Sequence, residues 1–294
     1  MKSRNLLRQI GQGAVLLMVC GLAVVWLGAC KSKRCGNDSG EFKALTYNVH
    51  GLPDVVTGDD TTGRISQIAP HLKDYNFIAL QEDFDDENHA ILVEQNRYEE
   101  VRRFSETSVS SYYGSGLSFL SRYNIVDYEE YFFDACHGYF DSSSDCLAAK
   151  GFQRLRLELA EACHLDVYNS HFEAGGGEED IAVRQIHVNA IKEAMQRDSK
   201  EQAILFLGDT NLHGDDPVET KILTDWMSAL GLKETCDVLD CPEPGRIDRF
   251  LFRSGKCVKL QAKAWQKEEQ FVDKDGVPLS DHDALSATYS WSTK

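Results

Sequence analysis

The chain has little positive charge for its size. Its 294 residues include 31 lysines and arginines against 47 aspartates and glutamates, a formal net charge of −16 at pH 7. A surface of this sign repels nucleic-acid phosphates and anionic lipids at long range. Nucleic acid is therefore disfavoured as a substrate without being excluded, because bound divalent cations can invert the local field.

The sequence also lacks the motifs of several enzyme and metal-binding classes. It has no Cys-x-x-Cys pair, which argues against zinc ribbons and thioredoxin-like redox chemistry. No His-Glu-x-x-His, Gly-x-Ser-x-Gly or Walker sequence occurs, which argues against zincins, serine hydrolases and nucleoside triphosphatases. Only six prolines are present, and neither a proline-rich linker nor an internal repeat marks a second folded domain.

The N-terminus is typical of an export signal. Three basic residues near the start precede an uncharged stretch at 9–29, whose most apolar part is short for a membrane span. The stretch ends in Leu-Gly-Ala-Cys, which resembles the bacterial lipobox, so we expect cleavage of the lipoprotein signal peptide 1–29 and lipidation of Cys30. An uncleaved signal anchor is the alternative.

A polar segment at 30–41 follows the signal and is predicted to be a tether. These features predict an exported lipoprotein, anchored on the extracytoplasmic side of the bacterial cell envelope. Export favours disulfides among the cysteines that follow Cys30. The pairing we expect is Cys136 with Cys146, Cys236 with Cys241, and Cys163 with Cys257, which leaves Cys35 as the odd thiol.

Residues 42–294 have the length of one large α/β or α+β domain. Strand-like runs lie at 42–48, 77–81, 116–121, 151–159, 164–170, 203–207, 247–252, 258–265 and 284–289. Helical periodicity occurs at 64–73, 87–96, 179–195 and 218–230. Strands and helices interleave, yet some strands adjoin through short connections, so we expect two mixed sheets with outer helices rather than one parallel sheet.

Five short polar blocks each lie at the end of a predicted strand. They are TYNVHG at 46–51, ALQE at 79–82, NSH at 169–171, GDTN at 208–211 and SDH at 280–282. Carboxylates, amides and imidazoles are costly to bury without partners, so such clusters indicate metal and phosphate chemistry rather than packing.

The five blocks, in this order, resemble the endonuclease/exonuclease/phosphatase superfamily, whose fold is a four-layer sandwich of two mixed β-sheets flanked by helices. The resemblance covers nearly all of 42–291. A cysteine-containing loop that runs into Lys-Gly-Phe at 150–152 is similar to the secreted bacterial sphingomyelinases and related phospholipase C-type members. Two positions depart from that pattern: Glu173 replaces the usual Gln or Asp, and Arg249 replaces a tyrosine.

The resemblance implies a divalent-cation site, for Mg²⁺ or Mn²⁺, with oxygen ligands. Glu82 is the best candidate ligand, Asn48 matches the metal-binding amide of the family, and Asp281 lies at a position that can approach the metal. The carboxylates that follow Glu82, at 83, 85 and 86, are expected at the surface.

The remaining site residues are assigned to catalysis or to phosphate binding. His282 is the predicted general base, since imidazole titrates near neutrality, and the resemblance implies that Asp248 orients it. Asp209 orients the attacking water and His171 faces the phosphate. For substrate binding we expect Asn211 and Lys150. The other histidines lack metal-ligand spacing and are predicted to be bystanders.

The sequence thus predicts a Mg²⁺-dependent phosphoric diester hydrolase of the sphingomyelinase type, acting as a monomer on a phospholipid head group. A nuclease or phosphomonoesterase of the same superfamily is the second choice. A degenerate, inactive sandwich and a non-catalytic surface-binding lipoprotein are further alternatives. Trp265, Phe271 and Val272 are predicted either to form a hairpin that enters a bilayer or to fill the core.

Overall fold

A computed structural model describes residues 36–108, 111–138, 145–241, 243 and 245–293. The predicted signal peptide, Cys30 and Cys35 lie outside these residues, so the boundaries of the signal and the tether stay predictions. Among the described residues, twelve strands form two six-stranded sheets.

The first sheet has the strand order β11-β12-β1-β2-β4-β3. Its strands are β1 (Ser39–Asn48), β2 (Phe77–Gln81), β3 (Glu100–Phe104), β4 (Leu117–Ser121), β11 (Val258–Lys267) and β12 (Leu285–Thr293). Only β1 and β2 run parallel, and the other neighbours are antiparallel.

The second sheet has the order β5-β6-β7-β8-β10-β9. Its strands are β5 (Ile125–Phe132), β6 (Gly151–Ala160), β7 (Cys163–His171), β8 (Ala203–Asp209), β9 (Lys233–Glu234) and β10 (Asp248–Arg253). Here β7 and β8 are the parallel pair. Both sheets are therefore mixed, as predicted.

Six α-helices lie in the described residues. They are α1 (Asp54–Thr57), α2 (Thr61–Ile68), α3 (Asp86–Glu94), α4 (Glu178–Asp198), α5 (Pro217–Leu230) and α6 (Thr235–Val238). No helix in the described ranges is long and apolar enough to cross a membrane.

Three buried apolar clusters separate the layers. The central one lies between the sheets and includes Phe77, Leu157 and Leu205. A second packs α2 and α3 on the first sheet, and a third packs α4 and α5 on the second, with Trp226 fully buried. The order helix–sheet–sheet–helix confirms the predicted four-layer sandwich.

All three strands that the sequence did not predict lie at sheet edges: β3, β5 and β9. In β5 most residues are partly or fully exposed, so its sequence has no continuous apolar run. The predicted helix at 64–73 is also different. The α-helix ends at Ile68 and Ala69–Asp74 continues as a 3₁₀ turn that contains Pro70, which has no N–H for an α-helical bond.

The structure corrects the predicted disulfide pattern. Cys136–Cys146 and Cys236–Cys241 are bonded as expected. Cys163 is also in a disulfide, but Cys257 is a free, exposed thiol. The predicted Cys163–Cys257 pair is therefore wrong.

The connection from β11 to β12 packs against the domain. Phe271 is buried, with its ring 5.0 Å from that of Tyr47, and Trp265 packs against the central core. The tip of the connection is a polar turn in which the N–H of Gly276 bonds to the carbonyl of Asp273. Of the two roles expected for these three residues, Phe271 and Trp265 fill the core, whereas Val272 is exposed.

Candidate active site

The polar blocks meet because strand order brings their ends to one edge of the sandwich. β1 and β2 pair in register through Asn48 and Gln81. In the other sheet, Asp209 is the cross-strand partner of both His171 and Asp248. The SDH block lies two residues before β12. Because β12 is paired antiparallel to β1, His282 reaches the same edge.

The backbone at this edge is strained. Three non-glycine residues that follow or end these strands have left-handed φ values: His50 (48°), Glu82 (59°) and Asn211 (47°). Such conformations cost about 1–3 kcal/mol each and cluster at functional sites. Gly51 belongs to the same turn system, since an added Cβ there would lie 2.3 Å from the carbonyl oxygen of Glu82.

His282 and Asp248 form a hydrogen-bonded pair. His282 Nδ1 lies 2.8 Å from Asp248 Oδ2, and the other ring nitrogen lies 3.6 Å from Asp209 Oδ2. Burial lowers the pKa of His282, but the hydrogen bond and charge of Asp248, with the charge of Asp209, outweigh burial and raise the pKa above its ordinary value. The geometry is that of a base with its orienting carboxylate.

The loop that carries His282 is tied to the first sheet. Ser280 Oγ donates to the carbonyl of Asn48 at 2.7 Å and accepts from the N–H of His282 at 3.2 Å. The guanidinium of Arg64, on α2, donates to the carbonyls of Val49 and Leu279. These bonds fix His282 relative to the ligand candidates on β1 and β2.

Asp209 is the centre of the cluster and is almost fully buried. Its carboxylate accepts from the N–H of Asn211 at 2.9 Å and from Asn48 Nδ2 at 3.3 Å, and it lies 3.4 Å from His171 Nε2. Burial raises its pKa, but the charges of His171 and His282 outweigh burial, so the pKa is lowered and Asp209 is an anion.

His171 and Lys150 form the opposite wall. Burial and the charge of Lys150 lower the pKa of His171. Lys150 Nζ donates to His171 Nε2 at 3.2 Å and to the carbonyl of Phe172 at 2.7 Å, and pairs with Asp145 Oδ1 at 2.7 Å. These three partners make Lys150 a support for His171, whereas a direct contact with substrate stays a prediction.

The disulfide loop supports this wall from behind. Asp145, beside Cys146, pairs with Lys150 and accepts from the N–H of Ala174 at 2.7 Å. Glu173, the first position that departs from the family pattern, accepts from the N–H of His137. Burial and the charge of Asp145 raise the pKa of Glu173 to about 7, so this carboxyl is partly protonated at neutral pH.

The predicted metal ligands lie on the β1–β2 side. Asn48 Nδ2 donates to Glu82 Oε1 at 2.9 Å, while Glu82 Oε2 is buried and has no hydrogen-bond partner among the described residues. Asp281 Oδ1 lies 3.3 Å from His50 Nδ1, which is 3.8 Å from Glu82 Oε2. An unpartnered buried carboxylate oxygen beside further oxygen donors fits a hard divalent cation.

The orientation of the Asn48 amide decides whether its oxygen can bind a cation beside Glu82. Its Oδ1 accepts from the N–H of His50, and its Nδ2 points to Glu82 and Asp209. A cation beside Glu82 would require the flipped amide, which presents Oδ1 to it and gives up the bond from the N–H of His50.

A second group could also hold a cation. One ligand atom each from Asp209, Asp248 and His282 lies within 4.8 Å of the others. However, His282 and Asp248 already contact each other as an acid–base pair, and Asp209 is the carboxylate that faces them. Glu82, with its unpartnered oxygen, is the better ligand.

Some residues have roles that the sequence did not reveal. His50, predicted to be a bystander, lies between Glu82 and Asp281, and Asp83, predicted at the surface, is 2 % exposed.

Arg249 is the second position that departs from the family pattern, and it is buried. It pairs with Glu234 at 2.8 Å and donates to the carbonyl of Leu212 at 2.7 Å, which stabilises the turn after Asn211. A partner in another strand gives no local sequence signal.

Two other block residues have structural roles. Gln81 Nε2 donates to Asn169 Oδ1 at 2.9 Å, and Asn169 Nδ2 donates to Gln153 Oε1 at 3.0 Å. These bonds join the first sheet to the second through fully buried side chains. The amides therefore fix the two halves of the site relative to each other.

A cavity of about 330 Å³ opens beside the acid–base pair. His282 and Asp248 line it, together with Trp265, Lys267 and the exposed His213. The ammonium group of Lys267 is already paired, since its Nζ lies 2.7 Å from Asp283 Oδ2. Part of a substrate can therefore be accommodated next to the base.

Comparison with known proteins agrees with this geometry. The sequence profile of the "Endonuclease/Exonuclease/phosphatase family" matches residues 45–282. A curated sphingomyelinase from Mycobacterium tuberculosis is 26 % identical over 267 residues, which cover 83 % of this chain and 51 % of that protein. The chain spans about half the length of the curated relatives it matches.

Several solved structures share the fold. Sphingomyelinase C from Streptomyces griseocarneus has a TM-score of 0.64 at 17 % identity, over 85 % of this chain and 99 % of that one. A beta toxin variant from Staphylococcus aureus with bound magnesium ions has a TM-score of 0.64 at 15 % identity, over 84 % and 99 %. D. rerio TDP2, complexed with a single-strand DNA product, has a TM-score of 0.67 at 14 % identity, over 85 % and 99 %. At these identities the likeness establishes the fold alone.

Proposed function

Because the chain belongs to the endonuclease/exonuclease/phosphatase family, we propose that it is a divalent-cation-dependent phosphodiester hydrolase of the sphingomyelinase type. The observation that carries the proposal is the His282–Asp248 pair at 2.8 Å, which faces the buried Asp209 and, beyond it, His171. Packing alone does not require this set of charged groups at one sheet edge.

His282 is the general base in this proposal. Asp248 occupies Nδ1, so Nε2 is the ring nitrogen that can take a proton from the attacking water. Asp209, near Nε2, orients that water and stabilises the imidazolium that forms. After the transfer, the negative charges of Asp209 and Asp248 stabilise the proton that His282 has taken from water.

The opposite wall acts on the phosphate. Asn211 Nδ2 is placed to donate to a phosphoryl oxygen. His171 Nε2 accepts from Lys150, so its Nδ1, which has no hydrogen-bond partner among the described residues, is the nitrogen that can donate to the phosphate. The cation of Lys150 behind His171 stabilises negative charge that develops there. Asn211 Nδ2 now donates to the carbonyl of Phe172 at 3.2 Å, a bond it would exchange for one to the substrate.

Mg²⁺ is the cation we propose, with Mn²⁺ as a substitute. Glu82 would hold it, with Asn48 and Asp281 as further oxygen donors. When bound, the cation supplies positive charge that polarises the phosphoryl group and lowers the pKa of nearby acids, including the histidine that must lose its proton.

A phospholipid is the substrate class we propose. Support comes from the relatives that are named sphingomyelinases and from the net charge of −16, which suits a zwitterionic head group better than a polyanion. Anchoring through a lipidated Cys30, outside the cytoplasm, would place a monomeric enzyme at a membrane. The two local disulfides suit an oxidising compartment of this kind.

A substrate panel tests this proposal. The full chain is assayed on sphingomyelin, phosphatidylinositol, plasmid DNA and a phosphomonoester, each with Mg²⁺ and with EDTA. We expect phosphocholine release that EDTA abolishes and that added Mg²⁺ restores. DNA cleavage without phosphocholine release would favour the nuclease alternative, for which the fold shared with TDP2 gives precedent. Phosphate release from the phosphomonoester alone would favour a phosphomonoesterase.

A further inference from the structure

A buried carboxylate lies directly behind the proposed cation ligand. Asp83, which follows Glu82, is 2 % exposed. Its Oδ2 accepts from Ser118 Oγ at 2.5 Å and lies 2.5 Å from His89 Nδ1. Ser118 is fully buried on β4, so this trio cannot present a nucleophile to a substrate.

The turn that Asp83 anchors is strained. Glu82 has a φ of 59°, a left-handed conformation that side-chain sterics disfavour. Strain of this kind persists only where the surrounding structure holds the backbone firmly. Without such anchoring, the turn would relax toward right-handed φ values and carry the Glu82 side chain away.

Three elements supply the anchoring. The N–H of Asp83 donates to the carbonyl of Gly116 at 2.9 Å, and Arg103 on β3 donates to the carbonyls of Asp83 and Phe84. The Asp83 side chain adds β4, through Ser118, and α3, through His89. One carboxylate oxygen thus joins a strand and a helix to the turn.

We propose that Asp83 is a positioning residue of the cation site, which holds Glu82 so that its unpartnered oxygen faces the site. This inference rests on the proposed function, because it takes Glu82 as the cation ligand. Asp83 acts only through Glu82, since its Oδ2 is held by Ser118 and His89, and its Oδ1, which has no hydrogen-bond partner among the described residues, is buried beneath the turn. Partners that orient metal ligands in this way are worth about 10–100-fold in metal affinity.

The test is Mn²⁺ binding to the full chain, followed by electron paramagnetic resonance, which needs no turnover. Asp83→Ala should weaken Mn²⁺ affinity at least tenfold. Ser118→Ala removes one of the two side-chain partners of Asp83 and should weaken the affinity by less. Asp166→Ala is the matched control. Asp166 is a fully buried carboxylate in the second sheet, paired with Arg156, and its loss should leave Mn²⁺ affinity within twofold of the wild type.

The outcomes separate the two hypotheses. Mn²⁺ affinity within twofold of wild type in Asp83→Ala, with near-ultraviolet circular dichroism showing a folded chain, overturns the positioning role. An equal loss in Asp166→Ala overturns it too, since the effect is then general destabilisation. If Asp83→Ala does not fold, unchanged Mn²⁺ affinity in Ser118→Ala overturns the positioning role instead. Wild-type Mn²⁺ binding that Glu82→Gln leaves unchanged instead overturns the placement of the cation in the proposed function, and the inference with it.

Discussion

Replacement of His282 by alanine is expected to lower kcat by about 10³-fold, or ~4 kcal/mol of transition-state stabilisation. Of the two ring nitrogens, Nδ1 is held by Asp248, and Nε2 faces Asp209 in the site. The other histidine beside Asp209 is His171, and its Nε2 already accepts from Lys150, so it is poorly placed to take over the proton. The measurement is steady-state hydrolysis of sphingomyelin with saturating Mg²⁺.

His164→Ala is the control for that experiment. His164 lies near the start of β7, whereas the site histidine His171 ends the strand, so its loss should change kcat by less than twofold. Asp248→Asn should also lower kcat strongly, because the amide no longer stabilises the imidazolium. A His282→Ala variant that keeps more than a tenth of wild-type kcat contradicts the assignment of the base.

Replacement of Glu82 by glutamine is expected to weaken Mg²⁺ binding by about 100-fold, or ~3 kcal/mol. The substitution keeps the shape of the side chain but removes the negative charge, and with it the unpartnered buried oxygen. At a low, fixed Mg²⁺ concentration, turnover should fall by a similar factor and recover in part as Mg²⁺ is raised. Titration of turnover against Mg²⁺ gives both quantities.

Glu87→Gln provides the matched control for Glu82. Glu87 is exposed in the first turn of α3, so the same change of charge there should leave the Mg²⁺ dependence unchanged. An identical shift in both variants would mean that the effect comes from net charge rather than from ligation. A normal Mg²⁺ dependence in Glu82→Gln would move the cation elsewhere, with Asp209 and Asp248 as the next candidates.

Much of the fold was predictable because buried strands give a strong local signal. β2 and β8 are buried along their whole length, and their apolar runs are visible in the sequence. The edge strands β3 and β5 were missed because charged residues interrupt their apolar ones, and β9 was missed because it is only two residues long. The end of α2 depends on Pro70, whose effect a periodicity argument overlooks.

The site was predictable to the extent that its residues lie in the polar blocks. Asp209, His171 and His282 lie together at one sheet edge and Asp248 pairs with His282, while their catalytic roles stay predictions. The contacts of Asp83 and Asp145 were not predictable, since each depends on a partner distant in the chain. The Cys163–Cys257 pairing failed for the same reason, because spacing says nothing about which distant cysteines become neighbours.

The central claim is that water, activated at this site, attacks phosphorus in a phosphodiester. Hydrolysis of sphingomyelin in ¹⁸O-water with Mg²⁺, followed by mass spectrometry of the products, tests it most directly. We predict one ¹⁸O atom in each released phosphocholine and none in the ceramide. Unlabelled phosphocholine with label in the ceramide, or no release at all by the full chain, would contradict it.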